Sequence, residues 1–306
     1  MWTFAEKERE CERLFEKSGP FWHLYTDGRV MEDFLCTEKD FKTAMTALAV
    51  AAVLFKKVGI ITFELMSNHI HMILNGESEG CMELFERFKT RLRRILKTAG
   101  RIIDWEAFKA DILPIETLNA LRNEIIYVNR NAFVANPQFT PFSYPWGGGC
   151  AFFLPCLNLL PVRSLKEVGF NKARELTHCR EIRLVEDLKF FGDIAFIPSF
   201  CRTDIGESMF RDAHHYFNML SKNFEAYNEI AKRLHEKVFI ADEEMYSAIS
   251  ALCVKEFNIR KPSDLAPKEK IEIARKMHFE YNASGRQIRS ILKLEQHIVD
   301  EMFPTR

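Results

Sequence analysis

Residues 59–74 carry the pattern that most restricts how this chain can fold. An apolar run over residues 59–65 is followed, after a short polar break, by a second alternating run over residues 69–74. This pattern is typical of two antiparallel strands joined by a turn. Side chains alternate across a strand, so His69 and His71 share one face while the apolar residues share the other. The predicted hairpin therefore turns one face to a core and presents on the other two imidazoles that can converge on one cation. Two half-buried histidines satisfied by their neighbours are the alternative.

A second segment, residues 114–134, has the spacing of an amphipathic helix that begins at a proline. Its apolar stripe comprises Leu118, Leu121, Ile125, Val128 and Ala132. Asn123, Tyr127 and Asn131 are each four residues apart and form a polar line beside that stripe. One helix face can thus present a phenol and two amides to the site begun by the histidines. The alternative for Tyr127 is a tyrosine at the edge of the core.

Periodicity along the rest of the chain predicts an α+β fold. The segment at 20–26 has the pattern of a strand, 37–57 and 80–99 those of helices, and 105–113 that of a further strand. Together with the hairpin they predict a ferredoxin-like antiparallel sheet of four or five strands with helices packed on one face. We therefore expect a sheet-containing domain over residues 1–155, a helical connector region over 156–240 and a helical domain over 241–306. The helical segments of the later part are predicted at 180–191, 205–236 and 241–257.

Composition narrows the class of protein. Lys plus Arg equals Asp plus Glu at 43 each, so only the local distribution of charge is informative. The eight cysteines are scattered without a Cys-x-x-Cys pair, which argues against a zinc ribbon and a disulfide framework. The N-terminus lacks the apolar stretch of a signal peptide, and the longest apolar run, residues 44–55, is too short to cross a bilayer. A soluble, cytoplasmic protein with no membrane partner is expected.

Two segments offer basic side chains to a nucleic acid. The predicted helix at 80–99 carries a cationic face comprising Arg87, Lys89, Arg91, Arg93, Arg94 and Lys97. Three short helices within residues 267–302 have the arrangement of a helix-turn-helix, with Arg286, Gln287 and Arg289 as candidate DNA contacts. Such basic surfaces are the usual footprint of a phosphate backbone. A solvated helix face and a small helical packing unit are the respective alternatives.

Four ordered segments between residues 20 and 153 resemble the single-tyrosine HUH transposases, in particular the REP-associated tyrosine transposases. They are Asn68-His69-Ile70-His71, Trp105-Glu106-Ala107-Phe108-Lys109, Tyr127-Val128-Asn129-Arg130-Asn131-Ala132 and Tyr144-Pro145-Trp146. This sequence departs from the family at Ser67 and Ala132, where the family has proline, and at Asn129, where it has histidine. The glycines at 147–149 stand where the family has Ser-Ser-Tyr. The histidine pair and the tyrosine are retained.

The resemblance implies an HUH endonuclease that nicks and rejoins hairpin-bearing single-stranded DNA during transposition. In that family's pattern His69, His71 and Asn131 hold Mg²⁺ or Mn²⁺. Tyr127 attacks phosphorus, which gives a 5′-phosphotyrosine intermediate and a free 3′ hydroxyl. The DNA partner implied is a REP-like palindrome. The family includes monomers and homodimers, so both states stay open for this chain.

Two other functions remain compatible with the sequence. One is a non-catalytic, domesticated DNA-binding regulator of repetitive palindromic DNA, which would use the helix-turn-helix and need no chemistry at Tyr127. The other is a metal hydrolase of small phosphoesters. It requires several acidic ligands, and the stretches around His69 and Tyr127 offer only Glu64 and Glu124.

Overall fold

Four antiparallel strands organise the first part of the chain, in a computed structural model that describes residues 2–135, 142–222, 224–234, 242–281 and 283–303. The strands are β1 (Phe21–Thr26), β2 (Gly59–Leu65), β3 (Ile70–Asn75) and β4 (Ala110–Ile115). Their order in the sheet is β2-β3-β1-β4, and each neighbouring pair is antiparallel. The predicted hairpin is confirmed, although His69 lies in the turn just before β3.

Helices connect and flank these strands. Those of the first 135 residues are α1 (Phe4–Ser18), α2 (Glu38–Leu54), α3 (Ser78–Thr98) and α4 (Leu118–Ala135). Because α2 joins β1 to β2 and α3 joins β3 to β4, the connection along the chain is β-α-β-β-α-β. A capping box between Thr37 and Asp40 fixes the start of α2.

One face of the sheet is apolar and packs against α2 and α3. Leu24, Phe63 and Met72 point to this side and are fully buried, as is the apolar stripe of α3. The alanines of α2, which include Ala44 and Ala47, are equally buried and let the helix approach the sheet closely. This layer is the main hydrophobic core of the protein.

The opposite face of the sheet is covered as well, which corrects the expectation of helices on one face. Glu124 of α4 reaches His23 of β1, and Asn129 of α4 reaches Thr62 of β2. Both strand residues belong to the face opposite Leu24. Helix α4 is consequently buried on nearly every side from Leu121 to Asn131, so its polar residues there lie inside the protein.

The strand predicted at 105–113 is shifted toward the C-terminus. Trp105 and Phe108 are buried in a turn, and β4 begins only at Ala110. Pro114 lies inside β4, opposite Trp22. A proline is tolerated there because β4 is an edge strand, whose outward amide positions need no partner in the sheet.

The region after residue 142 belongs largely to the same compact unit. The described chain forms two such units, one of residues 2–133 with 142–222 and the other of residues 134–135 with 224–303. The first unit therefore continues to residue 222. Its later elements are 3₁₀ turns at Gly148–Ala151 and Pro155–Leu159, a small sheet of β5 (Arg163–Ser164), β6 (Lys189–Phe191) and β7 (Ile194–Ala195), and helices α5 (Phe170–Thr177), α6 (Thr203–Ser208) and α7 (Ala213–Lys222).

The prediction of a helix over residues 180–191 is wrong. This stretch holds a short 3₁₀ turn, Ile182–Val185, and then β6. Gly192 adopts a positive φ of 62° and turns the chain into β7. A helix cannot continue through that turn, and one pairing partner of β6, β5, is too distant along the chain for local periodicity to reveal.

The second unit is helical throughout its described part. Its helices are α8 (Phe224–Arg233), α9 (Asp242–Phe257), α10 (Pro267–Tyr281), α11 (Gly285–Leu292) and α12 (Gln296–Met302). Ile273, Met277, Ile288 and Leu292 are fully buried and form the centre of this unit's core. The three short helices predicted at 267–302 are confirmed. Across the described residues, no helix combines the length and apolarity that a bilayer crossing demands.

Candidate functional site

A chain of hydrogen bonds between buried ionisable side chains joins α4 to β3 through β1. Glu124 Oε2 lies 2.8 Å from His23 Nδ1, and His23 Nε2 lies 3.0 Å from His71 Nδ1. His23 and His71 are 0% exposed and Glu124 is 2% exposed. His23 therefore holds His71 at Nδ1, and Glu124 in turn holds His23. His23 and Glu124 therefore belong to the site, although neither is among the residues expected from the sequence.

The hydrogen-bond directions along this chain determine which nitrogen of His71 carries the proton. An ionised carboxylate only accepts, so His23 donates its Nδ1 proton to Glu124. With both imidazoles neutral, Nε2 of His23 then accepts from the Nδ1 proton of His71. The lone pair of His71 is consequently on Nε2. A ring fixed through its other nitrogen in this way is typical of metal-binding histidines.

His69 is held by an equivalent contact. Its Nδ1 lies 2.7 Å from Oδ1 of Asn68, and Nδ2 of Asn68 donates to the carbonyl oxygen of Gly28 at 2.8 Å. The second bond sets the orientation of the amide, so Oδ1 must accept and His69 must donate from Nδ1. The lone pair of neutral His69 is again on Nε2. The loop at Gly28 approaches so closely that a Cβ there would stand 2.8 Å from His69 Nδ1.

The structure brings Tyr127 beside the imidazoles. Its ring centroid lies 5.7 Å from that of His71 and 6.0 Å from that of His23, while the rings of His69 and His71 are 5.2 Å apart and perpendicular. Tyr127 is 1% exposed. A phosphate can therefore reach this phenol only if the covering segments shift.

A second tyrosine borders the same site. Tyr25 of β1 is directly opposite His71 in the strand register, and the two rings are nearly parallel at a centroid distance of 6.5 Å. Unlike Tyr127, Tyr25 is half-buried, as is His69. The accessible edge of the site is thus formed by Tyr25, His69 and the loop at Gly28.

The donor set fits a divalent cation in chemical type. His69 and His71 would offer Nε2 lone pairs, and Asn131, buried one helical turn beyond Tyr127, would offer a neutral amide oxygen. These three ligands carry no net charge. Within the ranges that the structure describes, no group of three or more His, Cys, Asp or Glu side chains has a metal-holding arrangement, and the predicted set contains only two such residues.

Asn129 connects α4 to two other elements. Its Oδ1 accepts from the Thr62 hydroxyl at 2.5 Å, and its Nδ2 donates to the Tyr216 hydroxyl of α7 at 2.9 Å. Burial raises the pKa of Tyr216, which keeps that phenol protonated. Residue 129 thus fastens the helix that carries Tyr127, at a distance from the imidazoles.

Gly147 and Gly148 lie against the sheet. A Cβ on Gly147 would collide with the Glu64 carboxylate, and one on Gly148 would collide with Thr62. Glu64 is itself 1% exposed and stands opposite His71 in the register of β2 and β3. The absence of a Cβ at Gly147 and Gly148 therefore allows the backbone to pack closely against β2.

The basic residues of α3 occupy the broad face opposite its buried apolar stripe. At 100° per residue, spacings of three and four arrange them in two adjacent rows on that face. One row comprises Arg87, Arg91 and Arg94, and the other comprises Lys89, Arg93 and Lys97.

The three arginines of the first row form hydrogen bonds or ion pairs with other residues of the protein. Arg87 forms an ion pair with Glu83 at 2.6 Å, and Arg91 donates to the carbonyl oxygen of Thr177. Arg94 donates to the carbonyl oxygen of His178 at 3.2 Å. Arg91 and Arg94 thereby help fix the end of α5 against α3, a role that no local sequence pattern predicts.

The candidate DNA contacts of α11 are also engaged. Gln287 completes a capping box with Ser284 at the start of the helix. Arg286 forms an exposed ion pair with Asp242 at 3.0 Å, and Arg289 donates to an amide oxygen of α12 at 2.7 Å. Exposed contacts of this kind exchange readily with solvent or a phosphate.

A sequence signal for His23 exists. The strand pattern at 20–26 places His23 and Tyr25 on one face, as it does His69 and His71 in the hairpin. The sequence does not show the strand register, and only the pairing of β1 with β3 places His23 beside His71. Glu124 precedes Tyr127 by three residues and so shares its side of α4.

Comparisons of this chain with protein-family models, with curated proteins and with solved structures returned no match.

Proposed function

We propose that this protein is a metal-dependent single-stranded DNA transposase of the HUH single-tyrosine type, which nicks and rejoins hairpin-bearing DNA. One observation carries the proposal: the imidazoles of His69 and His71, each donating its Nδ1 proton to a fixed acceptor, lie side by side, and His71 adjoins the ring of Tyr127. The β-α-β-β-α-β connection and the strand order β2-β3-β1-β4 match a ferredoxin-like sheet, which supports the HUH fold.

The roles of the side chains follow from their chemistry. His69, His71 and Asn131 would hold Mg²⁺ or Mn²⁺, and a cation there would withdraw charge from a phosphoryl oxygen. Tyr127 forms a bond from its phenolic oxygen to phosphorus, and the bond from phosphorus to the 3′ oxygen breaks. The tyrosine loses its proton and the departing 3′ oxygen gains one. The 3′ hydroxyl of another strand reverses these changes and rejoins the DNA.

A neutral ligand set has a consequence for metal binding. A divalent cation held only by two imidazoles and an amide keeps its full charge, which a buried site disfavours. The scissile phosphate supplies the missing negative charge. We therefore expect Mn²⁺ and DNA to bind cooperatively.

The second candidate, a non-catalytic DNA-binding regulator, is favoured by the burial of the site. Tyr127 and His71 are 1% and 0% exposed, and Asn129 fastens α4 to β2 and α7. A domesticated relative that no longer opens its site would retain the polar cluster as part of its core.

The decisive experiment is incubation with labelled hairpin-bearing single-stranded oligonucleotides and Mn²⁺. The transposase predicts a protein–DNA band that survives denaturation and disappears in Tyr127→Phe. This substitution removes one hydroxyl and keeps the ring, so folding should be retained. Tyr246→Phe, at an exposed tyrosine of α9, is the matched control and should leave the band intact.

Other outcomes reassign or refute the proposal. A band that survives Tyr127→Phe but is lost in Tyr25→Phe would make the half-buried tyrosine of β1 the nucleophile. If no hairpin gives a band although Mn²⁺ binds, the regulator is the better description.

A further inference from the structure

An open cleft between α2, α3 and α5 is lined by cationic side chains from these three helices and from the loop that follows α5. Its volume is about 1000 Å³. Among its lining residues are Lys39 of α2, Arg94 of α3, Arg174 of α5 and Arg180, which follows α5. All four are exposed, and within the part of the chain that the structure describes none forms an ion pair with a carboxylate.

The two acidic side chains of the cleft are already paired. Asp40 forms an ion pair with Arg101 at 2.9 Å, and Glu175 forms one with Lys172 at 3.0 Å. Each therefore already has a cationic partner, and the four cations named above outnumber the two carboxylates of the cleft. Arg174 only adds a contact over the ring of Phe170.

The pKa of His178, which lines the cleft, is affected by the same cations. Desolvation lowers its pKa, Arg94, Arg91 and Lys39 lower it further, and Glu175 partly opposes them. Like charges brought together on three separate elements cost free energy unless an anion joins them. The exposed position and long stems of these side chains allow such an anion to enter from solvent.

We propose that this cleft binds the phosphodiester backbone of a nucleic acid. Among the described residues that line it there is no Phe, Tyr or Trp, so bases have no such ring on which to stack, and recognition falls on the phosphates. Cations spread over three elements match successive phosphates along a strand better than a single small phosphate. Binding there is expected to be independent of base sequence.

The cleft lies on the α2–α3 side of the sheet, whereas Tyr127 and His71 lie on the α4 side. It is therefore a contact separate from the proposed nicking site. The choice of a nucleic acid as the polyanion rests on the proposed function, but the binding itself requires no chemistry at Tyr127.

The test measures binding of a labelled single-stranded oligonucleotide, and of a duplex of equal length, to the full chain over a range of salt concentrations. In the variant Lys39→Gln/Arg174→Gln/Arg180→Gln, affinity at low salt should fall by about tenfold or more. The slope of log K against log salt should become shallower by about 2 for the single strand, because each lost phosphate contact removes about 0.7.

A matched control removes three exposed cations elsewhere in the same unit, Arg9→Gln/Lys17→Gln/Lys109→Gln. It should leave slope and affinity near those of the unaltered protein. Unchanged binding by the cleft variant, or an equal loss in the control, would overturn the proposal. Binding of inorganic tripolyphosphate without binding of either polymer would overturn it too.

The outcome is separable from that of the nicking assay. Tyr127→Phe should bind the oligonucleotides as the unaltered protein does. A covalent band without any effect of the cleft variant would refute the cleft alone, and the reverse result would refute the transposase alone.

Discussion

At the scale of single residues, the site depends on which nitrogens carry protons. Glu124 accepts a hydrogen bond from His23, and His23 accepts one from His71. Glu124 therefore determines, through His23, that the lone pair of His71 is on Nε2. His69 obtains the same tautomer from an amide. Two different acceptors thus produce one result, a pair of imidazoles with Nε2 lone pairs.

Replacing Glu124 with Gln tests this chain. The amide can donate to His23 Nδ1, which reverses the hydrogen-bond directions and places a proton on Nε2 of His71. We expect Mn²⁺ affinity, measured by calorimetric titration with a bound oligonucleotide, to fall by about 10- to 100-fold. The control Glu116→Gln alters an exposed carboxylate near the start of α4 and should have no effect. Equal affinities in the two variants would contradict the tautomer assignment.

His215 gives a pH dependence of stability. Desolvation, together with Arg211 and Arg122, lowers its pKa to about 4. The unfolded chain, with the ordinary pKa near 6.5, therefore binds more protons between those values, and the free energy of unfolding falls as pH falls through that range. In His215→Gln the melting temperature should decline less between pH 7 and about pH 5. A decline equal to that of the unaltered protein would show that other groups dominate.

At the scale of elements, one arginine joins three helices. Arg122 of α4 is 4% exposed, forms an ion pair with Glu8 of α1 at 2.6 Å, and donates to the carbonyl oxygen of Met209 after α6, also at 2.6 Å. The side of α4 away from the sheet is therefore held by charge-assisted bonds. Periodicity could not reveal this, because Arg122 precedes its partner Met209 by 87 residues.

Arg122→Met should destabilise the first unit by about 2–3 kcal/mol. It leaves a buried carbonyl without its donor, and Arg211, the second ion-pair partner of Glu8, keeps the loss below that of an isolated buried pair. Urea unfolding measures the change. Arg13→Met, which breaks an exposed pair with Glu10, should leave the urea midpoint nearly unchanged. Similar losses in the two variants would show that burial of Arg122 contributes nothing.

At the scale of the whole molecule, the described chain has two separate cores. Because each unit has its own core, each can unfold in a separate transition. Calorimetry should therefore resolve two unfolding components. Ile288→Ala, at a fully buried position of α11, should destabilise one component by about 2–5 kcal/mol and leave the other in place. The control Ile271→Ala, 39% exposed on α10, should change either component little. A single transition that moves as a whole would contradict this division.

The sequence by itself determined the elements whose signal is local. The hairpin at 59–75, helices α2 to α4 and the three short helices of the second unit follow from the period of their apolar residues, because burial of one face needs only that period. The His69–His71 pair and the Tyr127–Asn131 spacing are local in the same sense, so both are visible in the sequence.

Tertiary structure decided everything that depends on pairing between distant residues. His23 joins the site only through strand register, Glu124 binds it from 101 residues away, and α4 is enclosed by elements up to α7. Tertiary structure also added contacts to the arginines of α3 that the sequence does not show. Arg91 and Arg94 hold the end of α5, and Arg94 also lines the cleft. Periodicity shows which face of an element is buried, whereas only the folded chain shows what lies against that face.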